Sequence, residues 1–310
     1  MITMISAPSA DDVQSPVTTL QCQGVRISYK MAIAPPPAYE RRLILFLDFL
    51  GFREIVAETT DDPASLSRLI ASLDAIRSIS EDGFVESEQV TQFSDSLVVS
   101  YRLDETSGVF WLLHAMAMTV VELAGRGYLL RGAVTIGDLI HDDSHVVGPA
   151  MVAAYEMESW RAIMPRVIID PAVLDIVREH RGELHTSDDE EEYVRSFIAL
   201  DEDGEHFFDY VSWRSVVEIV GADDDSYGAY LERISRLVER GLEHSDVRVL
   251  RKYLWLHRHY LASIELFQNM PADHPYRAQS PRNCELIASL PRFEALSAAA
   301  SASVVAAEQR

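Results

Sequence analysis

The first half of the chain alternates between apolar patterns of strand type and of helix type. Residues 43–49 are almost continuously apolar and precede Gly51, which is typical of a strand buried on both faces. Apolar residues in 64–79 instead recur every three or four positions and predict one face of a helix. In chain order, the predicted elements are a strand at 43–49, a helix at 64–79, a hairpin at 84–101, a helix at 106–124, a hairpin at 128–147, a helix at 148–162 and a strand at 167–169.

This order of elements predicts an α+β fold with a mostly antiparallel sheet, helices on one face and a ferredoxin-like arrangement. Beyond residue 170 the pattern weakens. Five consecutive acids at 188–192 favour a solvated loop, because like charges repel and rarely pack, with metal binding as the less favoured alternative. The remaining predicted elements are a hairpin of 194–200 with 206–211, turning at 203–204, and two long helices at 227–241 and 247–268.

Composition divides the chain into four parts. Residues 1–38 mix Ser, Pro, Thr and Asp without a sustained apolar period, so we expect a flexible arm, with Met31 as an alternative start. We expect a catalytic core of sheet and helices at 39–220 and a C-terminal helical extension at 221–296. The Ala- and Ser-rich residues 297–310 predict a frayed helix or flexible tail.

Charge and cysteine content narrow the classes of partner and compartment. The 310 residues include 49 Asp plus Glu against 27 Lys plus Arg, which gives a net charge of −22. So acidic a chain is a poor candidate for binding a nucleic-acid polymer or an anionic membrane. Two distant cysteines exclude a disulfide framework, and no apolar run approaches ~20 residues, so we expect a cytoplasmic protein without a membrane span.

Two carboxylates stand out because each lies at the end of an apolar strand. Asp48 closes the first strand just before Gly51, and Asp95 lies at the turn of the 84–101 hairpin. If these strands are neighbours, both carboxylates emerge at one edge of the sheet, where they can bind divalent ions that prefer oxygen ligands. Each acid is equally explained as a turn residue that accepts hydrogen bonds from backbone amides.

Residues 48–52, Asp-Phe-Leu-Gly-Phe, resemble the Asp-x-x-Gly-Phe signature of the class III nucleotidyl cyclases. The resemblance implies that Asp48, the carbonyl of Phe49 and Asp95 hold two divalent ions, Mn²⁺ or Mg²⁺. It also implies that backbone amides of the following turn bind the outer phosphates, namely those of Phe49, Leu50, Gly51, Phe52 and Arg53.

Three further segments resemble the same family in the same order. Ser94-Asp95-Ser96 is similar to the hairpin turn that carries the second metal-binding Asp, and residues 131–137 are similar to a strand whose first residue, Arg131, contacts phosphates. Residues 148–159 are similar to the helix that follows the family's base-reading hairpin. Together these similarities cover about residues 42–170.

The base-reading positions depart from the pattern of purine cyclases. The family's lysine falls on Thr91 and its acid on His145, while the transition-state Asn and Arg fall on Val152 and Glu156. Either activity has been lost or the pocket reads another base, and the retained metal carboxylates and Arg131 favour the second interpretation.

The branch that the chain resembles most is the pyrimidine cyclases of bacterial Pycsar anti-phage systems. A strand start at Pro165-Arg166, a Gly-Pro-Ala helix and a C-terminal helix around 252–255 extend the similarity to about residues 42–270.

The same resemblance suggests which residues contact the substrate. Arg166 is the candidate for the missing transition-state arginine, with Arg102 and Arg53 as alternatives. Phe93 is also explained by core packing, and His145 by an exposed turn. The residues expected at the base are Leu50, Thr91, Phe93 and His145.

The resemblance implies a cyclase that converts UTP, or less favourably CTP, into a 3′,5′-cyclic nucleotide and diphosphate. It also implies a homodimer with shared active sites, and a product that activates a downstream effector in defence against phage. Two alternatives stay open: a catalytically silent nucleotide-binding or dimerisation module, and an ATP or GTP cyclase.

Overall fold

The computed structural model describes residues 17–22, 25–30, 37–77, 79, 85–182, 186–221 and 226–309. The chain forms two compact units, residues 1–38 and 39–310. In the first unit, β1 (Val17–Cys22) and β2 (Val25–Lys30) form an antiparallel hairpin. The arm expected at 1–38 therefore contains paired strands, while residues 1–16, 23–24 and 31–36, which include Met31, lie outside the described residues.

A mostly antiparallel sheet forms the centre of the second unit. Its strands are β3 (Glu40–Phe49), β4 (Gln89–Phe93), β5 (Ser96–Arg102), β6 (Leu130–His141), β7 (Val146–Val147), β8 (Val167–Ile169), β9 (Ala199–Leu200) and β10 (His206–Phe207). They run in the order β4–β5–β3–β6–β8–β10–β9, and β7 pairs with β6. The β6–β8 pair is parallel, and the other described pairs are antiparallel. The α+β fold class is thereby confirmed.

Helices cover the sheet and form the C-terminal part of the chain. They are α1 (Phe52–Thr59), α2 (Pro63–Arg77), α3 (Gly108–Gly125), α4 (Pro149–Glu156), α5 (Ala172–Asp175), α6 (Ser187–Ser196), α7 (Tyr227–Leu242), α8 (Val247–Asn269), α9 (Pro275–Gln279), α10 (Pro281–Ser289) and α11 (Glu294–Glu308). Among the described residues there are also two π-helical segments, Met157–Arg161 after α4 and Arg214–Ile219.

The apolar run of β3 is continuous because both of its faces are buried. Successive side chains of a strand point to opposite faces. Leu45 and Leu47 belong to the main core with α3, whereas Ile44 and Phe46 pack with Ala150 and other residues of α4 on the other face. The expectation that helices lie on one face was therefore wrong, because α4 covers the second face.

Helix α3 is long and apolar enough to cross a membrane by length and composition, and it is the one such helix among the described residues. Most of it is buried inside the fold, where Leu112, Leu113 and Met116 are fully enclosed beneath the sheet. Its apolar composition is thus accounted for by its place in the core.

Helix α4 approaches the sheet closely because β6 has a glycine beneath it. A Cβ placed on Gly137 would lie 3.2 Å from Ala150 Cβ, tighter than ordinary van der Waals contact.

The π-helical segment Met157–Arg161, which follows α4 in the chain, buries Glu158. Single π-helical turns are often found at functional sites.

The acidic run at 188–192 is helical, so the prediction of a loop was wrong. Thr186 and Asp189 form a reciprocal capping box at the start of α6. Carboxylates in the first turn interact favourably with the positive end of the helix dipole, and Arg178 pairs with Glu191 at 2.6 Å. The β9–β10 hairpin turns where predicted, but it is shorter because α6 extends through Ser196.

The C-terminal residues form packed helices. Helices α7 and α8 confirm the two long helices, and their Ile234 and Leu256 are fully buried in the core that includes the sheet. Residues 297–308 belong to α11 rather than to a flexible tail. Ala300 is buried there, and Arg251 pairs with Glu308 at 2.7 Å.

Candidate active site

Asp48 lies at the C-terminal end of β3 between two polar neighbours. The sheet register places Ser96 of β5 opposite Asp48 on one side and Arg131 of β6 opposite it on the other. Directly opposed residues share a face of the sheet. Three adjacent strands therefore present these side chains together, on the face that α4 covers further along.

The Asp48 carboxylate is held by hydrogen bonds from both neighbours. Ser96 Oγ donates to Asp48 Oδ1 at 3.0 Å, and Arg131 Nη2 donates to Asp48 Oδ2 at 3.2 Å. Arg131 Nε also lies 2.5 Å from Glu158 Oε1, an ion pair whose alignment falls short of a hydrogen bond. Glu158 is 2% exposed, and Ser159 Oγ donates to its Oε2 at 2.9 Å.

Asp95 lies beside Asp48 because the β4–β5 turn is tied to the end of β3. The Phe49 amide donates to the Asp95 carbonyl at 3.3 Å. Ser94, which precedes Asp95 in the turn, has a φ of 56°, and its left-handed conformation lets two residues close the hairpin. The structure thus brings both candidate carboxylates to one end of adjacent strands.

The pKa of Asp48 reflects this crowding of charges. Burial raises the pKa of the Asp48 carboxyl most, and the charges of Asp95 and Glu158 raise it further. The hydrogen bond from Ser96 and the charge of Arg131 lower the pKa, but the net shift is upward. Mutual repulsion of carboxylates at one site is relieved by a bound cation.

The donor set fits a hard divalent cation. Asp48 and Asp95 offer carboxylate oxygens, and the three hydrogen bonds that Asp48 accepts leave a lone pair on its Oδ1 for a ligand. Within the described part of the chain, no group of three or more His, Cys, Asp and Glu side chains could hold a metal ion by itself. An ion bound at Asp48 and Asp95 would therefore complete its coordination with water or with oxygens of a substrate.

The turn after β3 presents fewer free amides than expected. Gly51 adopts a left-handed conformation with φ of 76° just before α1, which favours glycine at this position. The amides of Phe49 and Leu50 donate to the carbonyls of Asp95 and Leu129, so they are not free for phosphate. The expectation is therefore corrected to the amides of Gly51, Phe52 and Arg53 at the start of α1.

The side chains of this turn differ in accessibility. The rings of Phe49 and Phe52 lie 6.0 Å apart, and Phe49 is buried in the main core. Leu50 and Phe52 are partly buried and pack against the same core. Leu50 is thus engaged in packing, and its role near a base stays a prediction.

Lys252 of α8 is a further candidate for this site, which the sequence reasoning did not assign. The side chain is partly buried. Burial lowers the pKa of Lys252 most, the charges of Arg131 and Arg248 lower it further, and Glu158 raises it. Lys252 therefore lies within electrostatic reach of the Arg131–Glu158 pair. The signal in the sequence that could have pointed to Lys252 is the rarity of lysine, because the chain contains two lysines in all.

Thr91 and Phe93 lie on β4, on the same face as Asp48. Thr91 is opposite Val98 of β5, which in turn is opposite Phe46 of β3. Phe93 is 81% exposed, so core packing does not explain it. Thr91 Oγ1 lies 3.0 Å from Nε2 of His141, at the end of β6.

His145 lies apart from these residues, in the loop between β6 and β7. Its backbone amide donates to Asp142 Oδ1 at 2.8 Å, and its Nδ1 lies 3.1 Å from the same oxygen. Two thirds of the side chain is exposed. The geometry is that of an exposed turn residue, the alternative given above, and no described contact links it to Thr91.

Arg166 does not join the candidate site. The residue is 1% exposed, and its guanidinium forms ion pairs with Asp201 and Asp203. Trp255 Nε1 also donates to Asp201 at 2.5 Å, which ties this cluster to α8. The predicted contact of Arg166 with substrate is therefore corrected, because an enclosed guanidinium that pairs with two acids cannot reach one.

The two alternative arginines lie at opposite ends of the sheet. Arg102 is opposite Arg42, at the end of β5 remote from Asp48, and pairs with Asp104. Arg53 is the second residue of α1, two positions after Gly51, and its side chain is 92% exposed. Of the three arginines considered, Arg53 is the one placed beside the candidate site.

Comparison with known proteins gave no matching family model and no matching curated protein. Among solved structures, the adenylyl cyclase CyaB from P. aeruginosa is 15% identical with a TM-score of 0.34, covering 46% of this chain and 82% of that one. A bacterial light-regulated adenylyl cyclase is 16% identical with a TM-score of 0.33, covering 44% of this chain and 79% of that one. A class III adenylyl cyclase-like ATP-binding protein from Pseudomonas aeruginosa is 10% identical with a TM-score of 0.36, covering 59% and 41%. Since these TM-scores lie below 0.5, the function proposed below rests on the site and the motifs instead.

Proposed function

We propose that this protein is a metal-dependent nucleotide cyclase of the class III family. The observation that carries the proposal is the convergence of Asp48, Ser96 and Arg131 with the Asp95 turn at one end of three adjacent strands. Their order along the chain matches the motifs of that family, and their donor set fits divalent cations.

The reaction is the attack of the ribose 3′ oxygen on the α-phosphate, with diphosphate leaving. Asp48 and Asp95 would hold the two ions, Mn²⁺ or Mg²⁺, with the carbonyl of Phe49 as a further ligand. When bound, such ions lower the pKa of the attacking hydroxyl and neutralise the charge of the triphosphate.

The cationic side chains have separate tasks in the proposal. Arg131 donates from both Nε and Nη2 to Asp48 Oδ2 and forms an ion pair through Nε with Glu158, and its guanidinium has further donors for a phosphate. Lys252 would contribute a second positive charge from the C-terminal helices. The exposed Arg53 replaces Arg166 as the candidate for contacting the transition state. Their combined effect is positioning and charge stabilisation.

We further propose UTP as the substrate, with cyclic UMP as the product. Thr91 stands where purine cyclases carry a base-reading lysine, and a pyrimidine leaves more room for the adjacent Phe93. The product would act in the cytoplasm as a second messenger that activates an effector in anti-phage defence, as the resemblance to Pycsar cyclases implies.

A homodimer with shared sites is part of the proposal. Val152, Tyr155 and Trp160 on α4 and its π-helical extension are each more than half exposed. Clustered exposed apolar side chains are typical of interaction surfaces, and two-fold dimers are the commonest assembly. A Trp160→Glu variant should shift the molar mass measured by light scattering from the dimer towards the monomer.

The test of activity is a panel of triphosphates. Purified protein is incubated with UTP, CTP, ATP or GTP and Mn²⁺, and cyclic nucleotide and diphosphate are quantified. We expect cyclic UMP from UTP, none from Asp95→Ala, and unchanged turnover from Asp273→Ala, which removes an exposed acid between α8 and α9. A wild-type protein that forms no cyclic product from any triphosphate would overturn the proposal.

One observation favours a second candidate, a nucleotide-binding module without turnover. Val152 and Glu156 occupy the family's transition-state positions, and Val152 is exposed where a polar group would be needed. Binding of a triphosphate without any product would support this candidate. Cyclic AMP or cyclic GMP as the main product would instead favour a purine cyclase.

A further inference from the structure

A chain of hydrogen bonds runs across the sheet face that carries Asp48. Arg42 Nε donates to Ser100 Oγ at 2.8 Å, and Ser100 Oγ lies 2.8 Å from His141 Nδ1. His141 Nε2 in turn lies 3.0 Å from Thr91 Oγ1. This series of hydrogen bonds joins four strands, β3, β5, β6 and β4, and it ends at Thr91.

Ser100 determines which atoms donate and which accept in this series of hydrogen bonds. Ser100 is fully buried, so its hydroxyl hydrogen needs an acceptor within the protein. Its oxygen already accepts from Arg42, and His141 Nδ1 is the one acceptor for its hydrogen among the contacts of the described residues. Nδ1 is therefore unprotonated, and the hydrogen of the neutral ring lies on Nε2.

The neutral state of His141 agrees with its surroundings. Burial lowers the pKa of His141 most, the positive charge of Arg42 lowers it further, and Asp142 raises it, with a net pKa of about 4. The ring is thus neutral near pH 7, as the hydrogen-bond direction requires.

The hydroxyl hydrogen of Thr91 is then available to a ligand. Its Oγ1 accepts the hydrogen from His141 Nε2, so its own hydroxyl hydrogen points elsewhere. Within the described ranges, no protein acceptor takes that hydrogen. Phe93 lies two residues further along the same strand face and is 81% exposed, so a flat ring is available beside the donor.

We propose that the Arg42–Ser100–His141 chain fixes Thr91 as a hydrogen-bond donor that reads a keto oxygen of a nucleobase stacked on Phe93. This inference rests on the proposed nucleotide site and adds the chemistry of base selection. Uracil and guanine present a keto oxygen where cytosine and adenine present an amino group. With the keto base the hydroxyl hydrogen of Thr91 gains an acceptor, whereas the amino base can use only the remaining lone pair of Oγ1 and leaves that hydrogen without a partner in the base.

The test measures binding rather than turnover. Calorimetry with Mn²⁺ compares uridine and cytidine 5′-(α,β-imido)triphosphate, which cannot be cyclised by loss of diphosphate. We expect wild type to prefer the uridine analogue by about tenfold, the order of one hydrogen bond. Thr91→Val should bring the two affinities within about twofold, whereas Thr91→Ser should keep the preference.

A matched probe separates base reading from general damage. Inorganic tripolyphosphate with Mn²⁺ should bind wild type and Thr91→Val equally, because it lacks a base. If Thr91→Val fails to fold, His141→Asn serves instead, since the shorter amide cannot span Ser100 and Thr91. His141 is a positioning residue here, so its variant should change the base preference without changing the affinity for tripolyphosphate.

The possible results distinguish the two proposals. An unchanged uridine preference in Thr91→Val, or a wild-type preference for cytidine, overturns the role of Thr91 while leaving a nucleotide site in place. Failure of wild type to bind either analogue overturns both proposals. Binding with the expected preferences but without turnover of UTP supports the role of Thr91 and rejects the cyclase activity.

Discussion

Mild acid should destabilise the protein through His141. The ring is 7% exposed, lies next to the Arg42–Ser100 pair, and has a pKa of about 4 in the folded state against an ordinary value of 6.5. A histidine whose pKa is lowered by folding stays neutral in the native protein while the unfolded chain takes up a proton. Its contribution to stability is therefore complete above pH 6.5 and is lost as the pH falls towards 4.

The size of the loss follows from the difference between the two pKa values. One pKa unit corresponds to about 1.4 kcal/mol, so the full effect approaches ~3 kcal/mol below pH 4. At pH 5 the proton is bound in nearly all unfolded molecules and in about a tenth of folded ones, and the loss is about 2 kcal/mol relative to pH 7.5.

Urea unfolding followed by circular dichroism at pH 5 and pH 7.5 measures this loss. Other groups titrate in the same range, so the wild type is compared with His141→Asn, which removes one titrating group. We expect the wild-type free energy of unfolding to fall by about 2 kcal/mol more than that of the variant. Equal losses in the two proteins would refute the reasoning.

Three further predictions concern other parts of the structure. Asp48→Asn should abolish turnover and the stabilisation by Mn²⁺ in thermal unfolding, while circular dichroism stays native; full activity would contradict the metal role. Arg166→Ala should cost about 1–3 kcal/mol in urea unfolding, because Asp201 loses its buried partner and keeps Arg258 and Trp255. A loss of activity without a loss of stability would restore Arg166 to the site. Gly137→Val should cost about 1–3 kcal/mol by pushing α4 off β6, and an unchanged unfolding midpoint would contradict the close contact.

Much of the local structure is encoded in short stretches of sequence. The apolar run at 43–49, the turn at Gly51 and the helical spacing of 227–241 each predict an element that the structure contains. The placement of Asp48 and Asp95 at one edge of the sheet was also predicted from sequence, because an acid at the end of an apolar strand is conspicuous. The acidic run at 188–192 led to the wrong prediction of a loop. It is helical because the capping box of Thr186 and Asp189 outweighs the repulsion between like charges.

The composition of the candidate site, in contrast, depends on contacts between distant parts of the chain. Arg131 and Ser96 reach Asp48 through the register of three strands, and Glu158 is added by the packing of a π-helical turn. Lys252 comes from a helix more than a hundred residues further along the chain than Arg131. Local periodicity carries no information about such pairings.

By itself, the sequence determined the apolar faces, the main turns and the two carboxylates, because those depend on residues close together in the chain. Tertiary structure alone decided which side chains surround the carboxylates, that Arg166 is buried against Asp201, and that His141 reaches Thr91. The physical reason is that burial and partner choice, which set charge state and hydrogen-bond direction, arise only when distant strands and helices pack together.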